Sequence, residues 1–187
     1  MASNIVPGNV DGTFPVAGKD NSSQGFRDNF TAIKNNFTNA KTEIETLQTN
    51  SVQTNTANSF NDNVVSRAIL KDTAETVYAH GTTGGAITLN HESGHYQTIT
   101  TNASVTLAFT NLPATGTLGK IILDITFAST AHTITIPTAV RVADNVNGGD
   151  GSSNTITAPN TGRYLYEFVS PDAGATILMH QLGKMYT

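Results

Sequence analysis

The sequence predicts a mainly β protein: an N-terminal extended arm and a heptad helix, coiled-coil-like and trimeric, followed by an antiparallel β-sandwich or barrel. Three observations predict it. Apolar residues recur at alternating spacings of four and three between residues 26 and 47. From about residue 74 the apolar pattern switches to a period of two. The chain is also poor in charge and rich in small polar residues, with 30 Thr and 19 Asn among 187 residues.

The composition narrows the function classes. Charged residues make up 13% of the chain, against about 25% in a typical soluble domain. Thr suits the pleated, half-exposed surface of a strand and Asn suits turns. The bias therefore reads as exposed β-structure, and the alternation from residue 74 argues against disorder there. A net charge of -4 without a basic tract argues against nucleic acid as a partner. The absence of cysteine excludes disulfides, thiol catalysis and cysteine zinc sites. Residues 1–20 lack the charged start and apolar run of a secretory leader, and no apolar stretch is long enough for a membrane span, so neither is expected.

Residues 1–21 read as an extended arm, punctuated by Pro7, Gly8, Gly12, Pro15 and Gly18. Its apolar residues Ile5, Val6, Val10, Phe14 and Val16 mark it as a docking peptide that orders on a partner surface. Residues 22–49 read as a helix, with Ser22 or Ser23 as N-cap. Phe26, Phe30, Ile33, Phe37, Ala40, Ile44 and Leu47 form a heptad seam. Phe30, Phe37 and Ile44 share one core position; Phe26, Ile33, Ala40 and Leu47 share the other. Arg27, Lys34 and Lys41 flank one side, and Asn29, Asn36 and Glu43 the other. A stripe this narrow needs copies of itself or a groove, and bulky Phe suits three chains better than a tight pair.

Residues 50–73 read as a linker or neck, with one or two helical turns expected in VVSRAILK (64–71). The β-domain spans 74–187. Strands are expected at 74–79, 86–89, 95–101, 104–110, 120–127, 132–137, near Val140, and at 154–158, 163–170 and 175–182. Val105, Leu107 and Phe109 point to one face. So do Ile121, Leu123, Ile125 and Phe127, then Ile134 and Ile136, then Tyr164, Tyr166 and Phe168. Short strands without intervening helices argue for a sandwich or small barrel and against a parallel α/β fold.

Motifs of chemistry are few. His91-Glu92-Ser93-Gly94-His95 fits the zinc-protease pattern H-E-x-x-H, which needs a helix to bring both histidines to one face. Ser93-Gly94 is turn chemistry between two strands, so a plain turn with diverging histidines is expected. Asp144, Asn145, Asn147 and Asp150 could offer oxygens to calcium, but Val146 breaks the calcium-loop spacing and a surface hairpin is expected. Tyr164, Tyr166 and Tyr186 could stack on sugars, though such residues more often serve a sheet core. Asp124, alternating with apolar neighbours, is expected to face solvent or a neighbouring subunit. No catalytic, cofactor-binding or metal residues are assigned, no cofactor is expected, and the chain reads as non-enzymatic.

Two stretches carry a resemblance. FPVAGKDNSSQGFRDNFTAIKNNFTNAKTEIETLQ (14–48) resembles the N-terminal segment of structural proteins of marine cyanobacterial tailed phages. Residues 85–127 with 132–142 resemble a β-domain of phage fibre and virion proteins, Thr100 and Asn102 standing at its turn and Phe109, Asn111, Pro113 and Gly116 at its end. The resemblance implies a virion protein made in the host cytoplasm, a homotrimeric short fibre or decoration protein. The arm and helix would anchor it to other virion proteins, the capsid head first among them. A neck or tail fibre, or a tail adhesin that binds a host surface glycan, is the alternative.

Overall fold

The spacing of four and three becomes one helix, α1, over Ser23–Asn50 in the computed structural model of the protein. Residues 3–52, 57–60, 63–149 and 152–185 are described. The chain divides into two units, Met1–Ala68 and Ile69–Thr187, the boundary falling inside the stretch read as a neck.

In the first unit, Ser22 is extended at the N-cap position, without a side-chain cap bond. Four threonines inside α1 return their hydroxyls to the carbonyl four residues back: Thr38 to Lys34, Thr42 to Thr38, Thr46 to Thr42 and Thr49 to Glu45. This local bonding satisfies side chains that would otherwise compete with the helix backbone. Lys41 and Glu45 form an i,i+4 ion pair at 2.7 Å. The helical turns expected at 64–71 do not form. Arg67 takes a left-handed φ of 58°, and Val64 and Ile69 stand 90% and 97% exposed. Two turns without a packed face cannot repay helix nucleation.

The second unit is a curled mixed sheet. Its strands are β1 (Val77–Asn90), β2 (Tyr96–Thr110), β3 (Gly119–Phe127), β4 (Thr133–Thr135), β5 (Val140–Val142), β6 (Thr155–Thr157), β7 (Gly162–Ser170) and β8 (Ile177–Met185). The strands run β5-β8-β7-β3-β2-β4-β6, with β1 paired to β2. The antiparallel expectation is corrected here. β1 with β2, β2 with β3, β2 with β4, and β5 with β8 are parallel; β3 with β7, β7 with β8, and β4 with β6 are antiparallel. The expected strand pairs 74–79 with 86–89, and 95–101 with 104–110, are each one long bent strand.

The reason lies in chain length. β1 and β2 pair in parallel from Val77↔Tyr96 to Asn90↔Thr110, yet five residues, 91–95, link them. A straight strand of 14 residues would run roughly 45 Å, and five residues span less than about 20 Å. The strand must therefore bend back on itself. It does so at Gly81 and Gly85, both at positive φ, where the register shifts. By Gly94 the chain is back beside Thr76: a Cβ on Gly94 would lie 2.5 Å from the Thr76 carbonyl oxygen. β1 and its link thus form one coil, and β2 begins the next. β2 bends at Asn102–Ser104, pairing with β3 before the bend and β4 after it.

The bends stack. A Cβ on Gly84 would meet the Ala103 Cβ at 2.7 Å. The Thr101 hydroxyl meets His132 Nδ1 at 2.8 Å and accepts from the Ala128 N–H at 3.2 Å. Ser104 Oγ accepts from the Thr133 N–H at 3.1 Å. Inside the coils lie the period-two residues: Leu107, Ile121, Leu123, Ile125, Ile134 and Phe168 are among those at most 3% exposed. The aromatic side chains continue this core, with Phe109 on Phe168 at 5.0 Å and Phe127 edge-on to Tyr164 at 5.5 Å.

Stacking of the bends makes a direct prediction. Gly84→Ala should lower the unfolding free energy by roughly 1–3 kcal/mol through overpacking. Ala103→Gly in the same chain should restore part of that loss. Denaturant titration of the three proteins checks it, and additive losses would show that the two bends do not touch.

Candidate functional site

The helix carries two adjacent stripes, and the chain fills one of them itself. Asn29, Asn36 and Glu43, seven residues apart, take hold of the arm by its backbone. Asn29 accepts the Asp11 N–H at 2.8 Å and donates to the Asp11 carbonyl at 3.1 Å. Asn36 does the same to Val6, at 2.9 and 3.1 Å. Asn39 donates to the Asn4 carbonyl at 2.7 Å, and Glu43 accepts from the Asn4 N–H and the Ser3 hydroxyl. Asn29 and Asn36 each offer the arm one donor and one acceptor, the same pair a neighbouring strand would offer. Phe14 ends the track, its ring 4.9 Å from that of Phe26 and pressed so close to Gly25 that a Cβ there would clash at 2.6 Å.

The arm read as a docking peptide for a partner is therefore ordered on its own helix. Of its apolar residues, Val10 and Phe14 are half-buried, while Ile5, Val6 and Val16 remain exposed. The signal for this intramolecular track was the repeat of polar residues at 29, 36 and 43, read from sequence as one flank of the seam.

The second stripe is the heptad seam, and it stays uncovered. Phe30 is 69% exposed, Phe37 71% and Leu47 64%; Phe26 and Ile44 are also exposed, and Ile33 and Ala40 are half-buried. Isolated apolar residues on a surface are ordinary; here Phe26, Phe30, Phe37, Ile44 and Leu47 lie exposed along one stripe of the same helix.

The other sequence candidates fall elsewhere. Asp124 does lie on the outward face of β3, but it is 4% exposed. Arg163 covers it in a bidentate pair, through Nε at 2.7 Å and through Nη2, and the Tyr96 hydroxyl donates to it at 2.8 Å. Burial pushes the Asp124 pKa up, but the hydrogen bonds from Arg163 and Tyr96 and the Arg163 charge outweigh it and hold the carboxyl below its usual value. Tyr164 and Tyr166 are core residues, fully buried and stacked at 6.2 Å. Tyr186 and Asp150 lie outside the described residues. The loop before β6 is tied to β8, with Asn145 donating to the Gln181 carbonyl and the Asn147 N–H donating to the Gln181 side chain.

The HESGH stretch is a turn, as expected, with a short 3-10 segment over His91–Ser93. The histidines nevertheless converge, their ring centroids 4.5 Å apart. The tight 3-10 turn and Gly94, at a positive φ of 140°, carry His95 back over His91, which the strand-to-strand reading did not anticipate.

No protein family, curated protein or solved structure matches the chain. No helix among the described residues is long and apolar enough to cross a membrane.

Two predictions test these placements. The folded pKa of Asp124 lies below its unfolded value of about 3.9. Its contribution is therefore present above that value and drains away as pH falls through the lower folded value. Asp124→Asn should be less stable than the parent at neutral pH, and the gap should narrow on acidification; a gap independent of pH in urea melts would refute the pairing. Replacing Asn29 and Asn36 with Ala should release the arm while leaving α1 helical, seen as faster proteolysis within residues 3–20 at unchanged circular dichroism.

Proposed function

We propose that the chain is a non-enzymatic structural component of a virus particle, a short homotrimeric fibre or decoration protein. The observation that carries the self-association is the uncovered seam. A regular 3.5-residue repeat matches another helix of the same repeat, since only supercoiled copies keep such a stripe in contact along its length. In that arrangement the positions flanking the seam on one helix face the opposite flank of the next. The arm, lying on the Asn29–Glu43 side, then runs along the groove between subunits, beside Arg27, Lys34 and Lys41 of a neighbouring copy. Its exposed Ile5 and Val6 gain a surface there.

The placement on a virion rests on the resemblance of residues 14–48, and of 85–127 with 132–142, to phage structural proteins. The capsid head is the first choice of anchor, and the neck or tail the second. The β-body suits an exposed role. Its coils are rigidly stapled at their bends, and its surface is covered by threonine rather than by charge.

Sedimentation velocity tests the reading. The parent should run as a trimer. Phe30→Asp with Phe37→Asp should run as a monomer, because burying like charges in the seam is strongly unfavourable. A parent that is monomeric, or a double variant that keeps the parent mass, would overturn the assembly. Finding the chain in washed, intact particles tests the virion placement separately.

A further inference from the structure

His91 and His95 stand outside everything the association reading uses, and the turn that holds them is built with unusual care. Asn90 Oδ1 accepts the Glu92 N–H at 3.0 Å. The fully buried Gln97 donates through Nε2 to the carbonyls of Asn90 and Gly94, at 2.8 and 3.0 Å. His80 meets the remaining oxygen of Gln97 at 2.9 Å. Asn111 reaches across from the end of β2 to Asn90 Oδ1 at 3.0 Å and to the Glu92 carboxylate at 3.1 Å. The two imidazoles are thus mounted on a locked turn. They open onto a pocket of about 320 Å³ whose walls are Glu75, Thr76, His91, Glu92, Gly94 and His95.

We propose that His91 and His95 form a two-imidazole chelate for a divalent late transition metal ion, Ni²⁺, Cu²⁺ or Zn²⁺. Imidazole nitrogens favour these ions over magnesium and calcium, which prefer oxygen. The rings lie 4.5 Å apart and are tilted by 41°, a geometry of convergence rather than of flat stacking. Glu75 and Glu92 on the pocket wall supply negative charge near the dication. Among the described residues no third histidine or carboxylate completes a protein ligand set, so water fills the remaining positions. The bound ion would clamp the two ends of the link that closes the first coil, a structural role unrelated to proteolysis, whose helix is missing. The inference is independent of the assembly proposed above.

Native mass spectrometry of the full chain with added Ni²⁺, and in parallel with Mg²⁺, tests it. The expected result is one Ni²⁺ per chain, lost in His91→Ala and in His95→Ala, retained in His180→Ala, and no matching uptake of Mg²⁺. Circular dichroism confirms that the variants remain folded. A parent that takes up no Ni²⁺, a double His91→Ala/His95→Ala variant that binds as the parent does, or equal uptake of Mg²⁺ would each overturn the proposal.

Discussion

The parallel pairing of β1 with β2 across a five-residue link constrains nearly everything else in the β-body. A chain that must return to its own starting level so quickly cannot run straight, so it bends. Each bend must then sit on the bend of the neighbouring coil. Gly84 under Ala103 is one product of that requirement. The Thr101 and Ser104 hydroxyls that staple the next bend are another. Winding also turns alternate side chains of the strands inward, so a single core is built from Leu107, Ile121, Leu123, Ile125 and Ile134. Polar groups enter this interior where their bonds are met: Gln97 serves two carbonyls and a histidine at once. The Tyr166 hydroxyl is an exception, buried without a partner among the described residues.

The helical unit follows a different economy. Two neighbouring stripes on α1 share the heptad period but differ in chemistry. The one built of Gly25, Asn29, Asn36, Asn39 and Glu43 is polar and small, and the arm occupies it through backbone bonds. The aromatic one keeps Phe30 and Phe37 exposed. The arm and the seam therefore occupy separate stripes of one helix.

Much of this was legible in the sequence. The 3.5-residue repeat gave α1 within one residue of its observed limits, and period-two alternation identified the inward residues of β2, β3, β4 and β7. What escaped was information carried by small residues and by direction. Gly84-Gly85 looks like a turn between two strands, yet it lies within a single bent strand, because the local chemistry of a turn and of a corner is the same. Parallel pairing went unseen because it depends on contacts twenty residues apart rather than on local pattern. The Asp124 pairing needed Arg163 and Tyr96 to arrive from two different strands. Asn29 and Asn36 looked like ordinary flanks of the seam, since nothing in a helix pattern announces that a side chain will grip a main chain.

That grip has an evolutionary corollary. Asn29, Asn36 and Asn39 recognise the peptide groups of Asp11, Val6 and Asn4, not their side chains. The arm is thereby free to change most of its side chains without losing its seat, provided no proline removes the N–H of Val6 or Asp11. The helix has no such freedom at its three asparagines. Even the near-isosteric change to aspartate keeps an acceptor but forfeits the donor. Mutational tolerance is thus distributed unevenly across one contact: the track is fixed in sequence, while the side chains of the strand it carries are free to drift.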